Sequence, residues 1–339
     1  MRRHCQPHPF VRYQWRAPEA IMRSTSQMNM SPTPSGAAGV LAELSSQLAS
    51  AVQTAGNSIV AIHARRRIPS SGIIWRDGVV VSASHTVRSD GEISISLPNG
   101  DSAKADVAGR DSATDLVVLR IKTDGAVRAA PRADVSSLRV GSLVLAVGRP
   151  GRNVSASFGI VSAIGEGWRS WQGARIDRVL RLDLAVYDGF SGGPLVDASG
   201  GVLAINNSAL ARGTPIALPA QAVDRVVDEL LERGHVRRPF IGVAVQPVAL
   251  SAALARQHQL SGDGGLLIVS IADDSPAEKA GILLGDLLLE AGGQRVARPD
   301  DLLDGLSATR HGDSVSLKIL RGGVVKTVSV TPADRGERE

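Results

Sequence analysis

The stretch Gly72–Val81 reads Gly-Ile-Ile-Trp-Arg-Asp-Gly-Val-Val-Val, which is two short apolar runs joined by an Asp-Gly pair. Asp-Gly is a frequent turn sequence between paired strands, and short runs rich in β-branched residues favour strands. Similar runs, divided by turn residues, recur from Ser58 to about Ile205. A parallel α/β sheet would need crossover helices, for which this region has no room. The sequence therefore predicts an all-β sandwich or barrel here.

Length and composition fit about two globular domains with an aliphatic core. The chain has 339 residues, of which 43% are hydrophobic and only 3% aromatic, and about 150 residues make one domain. The single cysteine, Cys5, excludes an internal disulfide framework and a zinc-finger-type cysteine cluster. No apolar run reaches 18 residues, so a membrane-spanning helix is not expected.

The positive charge belongs to the N-terminus. The net charge is +5, but residues 1–30 contain five arginines and one glutamate, which leaves the other residues almost neutral. Residues 1–36 are predicted to be a disordered basic tail and linker, and a nucleic-acid partner is not expected. No apolar segment typical of a signal peptide follows Met1. Whether residues 1–30 belong to the native product, or translation starts at Met22, Met28 or Met30, stays open.

Helical patterns mark the edges of the β-rich region. Residues 37–53 and 219–234 are predicted to be helices, the second with Pro219 in its first turn and Gly234 as its C-cap. Arg237-Arg238-Pro239 then interrupts the pattern. We place one domain over residues 37–234 and a second over 238–333, with short helices near 276–280 and 300–307. Arg238 is expected to be a solvated linker residue.

A serine among glycines is the candidate nucleophile. Gly189–Leu195 reads Gly-Phe-Ser-Gly-Gly-Pro-Leu, a sequence in which Ser191 can present its hydroxyl while backbone amides converge on one point. A nucleophilic serine needs a histidine base. His85 follows the run Val79–Ser84, where a buried strand emerges into a turn, and suits that role. His63 leads into an arginine-rich loop and is expected to be solvated.

The base in turn needs a carboxylate to orient it. Asp115 directly precedes an apolar strand, where it would be desolvated, whereas Asp106 and Asp111 lie in polar segments and are expected on solvated faces. The order His85, Asp115, Ser191 is that of the chymotrypsin-type triad and differs from the subtilisin and α/β-hydrolase orders.

These segments resemble the HtrA/Deg serine proteases over about Ile59 to Leu218. The segments that carry the resemblance are Ser71–Ile74 with Asp77-Gly78 and His85–Val87, Asp111–Leu119, Gly148–Pro150, Ser157–Ser162, Asp183, Ser191–Leu195 and Gly201–Asn206. The resemblance implies a trypsin-like double β-barrel. It makes His85 the general base, Asp115 its orienter and Ser191 the nucleophile, and it implies an oxyanion hole formed by the backbone N–H groups of Gly189 and Ser191.

The chain departs from the family just before the serine. The family usually has Asn-Pro-Gly-Asn there, and this chain has Tyr187-Asp188-Gly189-Phe190. Gly189 is kept, but two alternatives stay open: the hole is formed at rest, or the loop needs activation, as it does in some of the family. Trypsin-like pockets that select Lys or Arg hold an Asp six residues before the nucleophile, where this chain has Ala185. The resemblance implies a small apolar pocket. Two alternatives stay open for Tyr187 and Phe190: they narrow this pocket, or both pack against the barrel.

The second unit resembles a PDZ domain of the permuted bacterial type. The resemblance rests on Ser275–Ile282 and Gly285-Asp286 and spans about residues 238–332. It implies strand addition of a peptide. The backbone N–H groups of Phe240, Ile241, Gly242 and Val243 would hold the peptide's C-terminal carboxylate. Arg238 could add charge there, as the alternative to the solvated linker residue expected above. Leu303 or Leu306 would face the groove.

Taken together, the resemblance implies an ATP-independent serine endopeptidase of protein quality control and the stress response. Its partners would be unfolded, misfolded or tagged proteins, cleaved after small apolar residues, and C-terminal peptides at the PDZ domain. A homo-oligomer, commonly a trimer, is implied, and no metal or cofactor. The alternative is a catalytically weak or resting homologue that serves as a peptide-binding chaperone or adaptor. The missing signal peptide favours the cytoplasm, and the resemblance favours the periplasm.

Overall fold

The first six strands of the chain close into an antiparallel barrel. In a computed structural model, the described residues are 36–65, 67–89, 91–122, 127–169, 175–211, 214–257, 264–308 and 312–334. The predicted tail, residues 1–35, therefore lies outside the described residues. The barrel has the strand order β1-β2-β3-β6-β5-β4. Its strands are β1 (Ile59–Ile62), β2 (Ser70–Arg76), β3 (Val79–Ala83), β4 (Ile93–Ser96), β5 (Ser102–Asp111) and β6 (Leu116–Lys122).

A second closed barrel follows, with the order β10-β11-β12-β9-β8-β7. Its strands are β7 (Leu143–Gly148), β8 (Ser155–Arg169), β9 (Arg175–Asp183), β10 (Pro194–Val196), β11 (Val202–Asn207) and β12 (Ile216–Pro219). The prediction of an all-β region is confirmed, and closure into two barrels removes the exposed strand edges that an open sheet would leave.

Strand alternation divides the core into layers. Val80 points into the first barrel, while its neighbours Val79 and Val81 join a layer that contains residues of both barrels. Because successive side chains on a strand point to opposite faces, a fully apolar strand such as β3 supplies both layers at once. This explains why β3 reads as a continuous apolar run, whereas β4, with the burial of alternate residues, reads Ile-Ser-Ile-Ser.

Helices seal this shared layer. Helix α1 (Gly36–Gly56) contributes Ala51 and Ala55, and helix α2 (Ala220–Arg233) contributes Val223, Val227 and Leu230. Helix α2 ends at Gly234 with φ +82°, the left-handed cap that glycine allows. The predicted helix over 219–234 is confirmed, and the predicted helix over 37–53 lies inside the longer α1.

The C-terminal region is a sheet covered by short helices. Five strands lie in the order β14-β15-β16-β18-β19; β17 pairs with β16, and β13 with β20. The elements are β13 (Pro239–Phe240), β14 (Val243–Ala249), α3 (Ala252–Gln257), β15 (Gly264–Ile271), α4 (Pro276–Lys279), β16 (Leu287–Ala291), β17 (Gln294–Arg295), α5 (Pro299–Ser307), β18 (Val315–Arg321), β19 (Val324–Val330) and β20 (Ala333–Asp334). Leu306 of α5 is buried in the core of this sheet, whereas Leu303 is partly exposed. Of the two leucines predicted to face the groove, Leu306 is thus a core residue.

A buried ion pair joins two parts of this sheet. The carboxylate of Asp286, 1% exposed, accepts hydrogen bonds from Arg321 Nε (2.7 Å) and from the backbone N–H of Leu283 (2.8 Å). Burial by itself raises the pKa of Asp286, but these bonds outweigh it and hold that pKa below its ordinary value. The ionised pair therefore stabilises the fold.

Among the described residues, no helix has both the length and the apolar character needed to span a bilayer.

Candidate active site

His85 and Asp115 are brought together by the pairing of two strands. His85 lies in a single 3₁₀ turn, Ser84–Thr86, directly after β3, and Asp115 directly precedes β6. The two strands are antiparallel, with Ala83 opposite Leu116. His85 Nδ1 lies 2.5 Å from Asp115 Oδ2, and the His85 backbone N–H donates to Asp115 Oδ1 at 2.8 Å. The carboxylate thus holds both the ring and the backbone of the histidine.

Asn207 is a further partner that the sequence analysis missed. Its Nδ2 donates to Asp115 Oδ2 at 2.7 Å, and its Oδ1 accepts the backbone N–H of Ala209 at 2.8 Å. Asn207 is fully buried at the end of β11, so it ties the first barrel's carboxylate to the second barrel. The segment used for the resemblance stopped at Asn206, one residue short, and the apolar run before Asn207 carries no signal for this contact.

Asp115 has an unusual backbone. Its φ is +55°, a left-handed conformation that costs energy for a non-glycine residue. Its carbonyl accepts the Ser84 N–H at 2.9 Å, which fixes this conformation beside the histidine turn. Strain held in place by hydrogen bonds is typical of functional sites.

Ser191 lies on the loop before β10, where the two barrels meet. The loop is tied to β11 by hydrogen bonds from Gly192 N to Asn206 O (3.0 Å) and from Asn206 N to Gly193 O (2.9 Å). Ser191 Oγ lies 2.8 Å from Ser208 Oγ. Among the described residues, Ser208 rather than His85 is the hydrogen-bond partner of this hydroxyl.

First-barrel residues pack directly against this loop. A Cβ atom on Gly192, whose φ is +86°, would come within 2.4 Å of the Ser71 carbonyl oxygen and 2.3 Å of Ser82 Oγ. Only glycine fits here, because both the space and the backbone conformation exclude a side chain. The second barrel's serine loop is therefore in contact with strands β2 and β3.

The backbone around Ser191 leaves two N–H groups available. Within the described residues, neither the Gly189 N–H nor the Ser191 N–H donates to another protein group. Phe190 N instead donates to Tyr187 O at 2.9 Å and closes a turn over these four residues. The loop thus presents two amides, two residues apart, beside the serine hydroxyl.

The residues predicted to shape the substrate pocket occupy different environments. Ala185 is exposed, and its carbonyl accepts a hydrogen bond from Ser157 Oγ. Tyr187 is 58% exposed and meets Phe190 edge-to-face, with ring centroids 5.4 Å apart. Phe190 is 1% exposed and belongs to the core of the second barrel. Phe190 therefore packs against the barrel, which is one of the two alternatives above. The Tyr187 ring is exposed and can contact a ligand.

The rival residues are engaged elsewhere. His63 Nε2 lies 2.8 Å from Ser96 Oγ, and Asp106 pairs with Lys122 on the surface of the first barrel. Asp111 was expected on a solvated face, which is wrong, since it is 1% exposed and bonded to Arg238 at 2.5 Å. Arg238 is therefore not a solvated linker residue. The antiparallel register carries the end of β5 inward and places Asp111 beside the linker to the C-terminal sheet.

The predicted peptide-binding residues form a tight loop between β13 and β14. Phe240 pairs with Ala333, and Ile241 is buried. Gly242 has φ +82°, and a Cβ there would lie 2.3 Å from Ser275 Cβ. Among the described residues, the N–H groups of Ile241 and Gly242 donate to no protein acceptor. The loop runs directly into Val243 at the start of β14, the edge strand of the sheet.

Two closed six-stranded barrels, with a His–Asp pair on one and a serine on a glycine-rich loop of the other, define a trypsin-like serine peptidase fold, which a second sheet follows. Comparison with known proteins agrees. Residues 70–205 match the family model of the trypsin-like peptidase domain, and residues 239–331 match that of the PDZ domain. The chain belongs to the HtrA/Deg family of serine proteases with a PDZ domain.

Individual relatives extend over both regions. The chain is 34% identical over 276 residues to a probable periplasmic serine endoprotease DegP-like of Halomonas elongata, covering 80% of this chain and 57% of that protein. It is 32% identical to the serine protease Do-like HtrB of Bacillus subtilis, covering 77% and 61%. A solved HtrA-type protease, AlgW with tripeptide, is 28% identical with a TM-score of 0.68, covering 85% of this chain and 97% of that one. The chain thus spans little more than half the length of the curated relatives it matches.

Proposed function

We propose that this chain is an ATP-independent serine endopeptidase that cleaves unfolded, misfolded or tagged proteins after small apolar residues. The observation that carries the proposal is the set of hydrogen bonds on Asp115. Its two oxygens accept from His85 N, His85 Nδ1 and Asn207 Nδ2, at 2.5–2.8 Å. A carboxylate so placed fixes the imidazole with its proton on Nδ1 and leaves Nε2 as the base.

The proposed reaction is acyl transfer to Ser191. In the proposed first step, rotation about the Ser191 Cα–Cβ bond would break the contact with Ser208 Oγ and turn the hydroxyl toward His85 Nε2. His85 accepts the proton as Ser191 Oγ attacks the peptide carbonyl, and the N–H groups of Gly189 and Ser191 stabilise the resulting oxyanion. His85 then gives the proton to the leaving amine, and a water molecule repeats the sequence to release the acyl group.

Substrate preference follows from what the pocket lacks. Ala185 supplies no carboxylate for a Lys or Arg side chain, and the aromatic ring of Tyr187, two residues further along the chain, is exposed. Lys and Arg are therefore not favoured, and the resemblance to the HtrA/Deg family implies small apolar side chains as the occupants of the pocket. Such residues are buried in native proteins, so an enzyme that needs them acts on unfolded chains.

Peptide binding by the PDZ domain is the second part of the proposal. The unpaired amides of Ile241 and Gly242 would hold a C-terminal carboxylate, and the open edge of β14 would accept the peptide as an added strand. The solved structure of AlgW is a structure with a tripeptide, which supports peptide binding in a protein of similar fold.

Location and assembly complete the proposal. The names of the DegP-like relatives include the word periplasmic, which supports a periplasmic location for this chain. A homo-oligomer, with a trimer as the first expectation, and a domain division at residues 37–234 and 238–333 stay predictions. Light scattering of the purified chain measures its oligomeric state. Expression of residues 238–333 alone tests whether that range folds as a separate domain.

Labelling of the nucleophile tests the enzyme proposal directly. A fluorophosphonate probe should label the native chain, and mass spectrometry should place the label on Ser191. Casein should be degraded by the native chain and not by Ser191→Ala, while Ser199→Ala, a change at an exposed turn serine, should match the native chain. Absence of label with unfolded substrate present would leave the chaperone or adaptor alternative, and casein degradation by Ser191→Ala would refute the triad.

A further inference from the structure

The loop that carries Gly189 and Ser191 is held by Ser71 of the first barrel. Ser71 is fully buried at the start of β2. Its backbone N–H donates to the Gly189 carbonyl at 2.9 Å, and its hydroxyl donates to the same carbonyl at 2.5 Å. The hydroxyl also accepts the backbone N–H of Arg149 at 2.8 Å. One serine thus satisfies one carbonyl twice and spans both barrels.

The anchored peptide is the one that joins the two proposed oxyanion donors. The Gly189 N–H precedes the Gly189 carbonyl, and the Ser191 N–H follows one residue later. The distance and relative direction of the two amides therefore depend on the peptide between Gly189 and Phe190. Oxyanion stabilisation requires donors fixed in advance, because a donor that must reorganise during the reaction loses most of its effect.

The turn itself has the conformation that leaves the first donor free. The hydrogen bond from Phe190 N to Tyr187 O closes a four-residue turn, and Gly189, its third residue, has φ +86°. Asp188 is not among the residues with positive φ. A positive φ at the third residue alone defines a type II turn; a type I turn has negative φ there and differs by a flip of the Asp188–Gly189 peptide.

Phe190 fixes the other end of this peptide. Its ring is buried in the second barrel, so closely packed that a Cβ on Gly148 would come within 2.8 Å of Phe190 Cδ1. Its carbonyl accepts the Gly193 N–H at 2.9 Å. The residue that departs from the family's usual Asn is therefore an apolar anchor for the loop.

We propose that Ser71 is a positioning residue for the oxyanion hole and that, with Phe190, it holds the hole formed in the resting protein. The proposal rests on the proposed peptidase function. It predicts activity without an activating peptide, because the loop is fixed by contacts inside the two barrels and not by a bound ligand.

Two neighbouring serines provide a matched pair of variants. Ser70 is also fully buried in β2, and among the described residues its hydroxyl has no hydrogen-bond partner. Ser70→Ala removes a hydroxyl that holds nothing, whereas Ser71→Ala removes the contact with Gly189. Outright loss of a hole donor costs about 10²–10³ in kcat. Since the Ser71 backbone N–H remains, we expect a loss of about tenfold to a hundredfold.

The experiment compares kcat and KM for a peptide substrate, inhibition by the matching peptide trifluoromethyl ketone, and the thermal midpoint. Ser71→Ala should lower kcat about tenfold or more, leave KM within about twofold, and weaken the ketone, whose adduct places an oxyanion in the hole, by a similar factor. Ser70→Ala should match the native chain in all three. A variant that is only less stable would not combine a lower kcat with an unchanged KM and a weaker ketone.

Each remaining result decides the matter. If Ser71→Ala and Ser70→Ala have equal kcat, or if only KM changes, the positioning role is refuted while the peptidase function stands. If Ser71→Ala does not fold, Phe190→Leu is measured in its place with the same expected loss of kcat. A native chain that labels only after addition of a PDZ peptide would refute a preformed hole. A native chain that never labels would overturn the proposed function and this inference together.

Discussion

The contact between Asp111 and Arg238 links the first barrel to the C-terminal sheet, and its disruption has a calculable effect. The Asp111 side chain has no exposed area, and the Arg238 side chain is 21% exposed. Asp111 also accepts hydrogen bonds from the Thr114 hydroxyl (2.6 Å) and from the backbone N–H of Ala113 (3.2 Å). Arg238→Gln would therefore leave a buried carboxylate with local donors but without its counter-charge.

The size of the effect follows from these contacts. Breaking a buried pair by removing one partner typically costs about 3–5 kcal/mol. The local donors to Asp111 remain in the variant, so we expect about 2–3 kcal/mol for Arg238→Gln. In Asp111→Asn/Arg238→Gln no charge is left unpaired, and the double variant should lose less than the sum of the single variants by about 1–3 kcal/mol.

The assay is urea unfolding followed by circular dichroism, in a Ser191→Ala background that prevents self-digestion. Arg237→Gln is the control, because Arg237 is more exposed and its Nε lies 3.9 Å from Asp334; it should cost less than about 1 kcal/mol. Strictly additive losses in the double variant would show that the two charges do not interact and would refute the reasoning.

Three further predictions concern the active site and the C-terminal sheet. Asn207→Ala should lower kcat/KM about tenfold or more by freeing Asp115 of a charge-assisted hydrogen bond, and unchanged steady-state kinetics would contradict this. Gly189→Ala should abolish fluorophosphonate labelling, because its φ of +86° and the lack of space exclude a Cβ; normal labelling rates would refute it. Asp286 has a pKa held below its ordinary value, so its stabilisation is complete above about pH 4 and is lost as the pH falls through the lowered pKa. Asp286→Asn should therefore flatten the acid side of the thermal midpoint against pH, and a profile parallel to the native one would show that the pair with Arg321 is not responsible.

Local patterns were sufficient for the features that depend on neighbours in the chain. The short apolar runs predicted strands because the residues that a strand buries are its own. Asp77-Gly78 likewise predicted a turn, and the structure contains it. His85 and Asp115 could be paired since each borders a strand, and antiparallel strands bring such ends together.

Contacts between distant residues could not be predicted in the same way. Asp111 and Arg238 both lie in polar segments, and only the docking of the C-terminal sheet buries one of them against the other. Asn207 follows an ordinary apolar run, and nothing in that run indicates that its amide reaches a carboxylate 92 residues earlier. From the sequence, Phe190 could belong to the pocket or to the core. In the structure its ring is buried beside Gly148, so it belongs to the core.

The division of the proposed triad between two barrels has a consequence during synthesis. The His85–Asp115 pair is complete when the first barrel has left the ribosome, but Ser191 is added 76 residues after Asp115. The serine loop also takes its shape from Ser71 and from β11, so it needs both barrels in contact. A nascent chain can therefore assemble the proposed active site only after both barrels have emerged and docked.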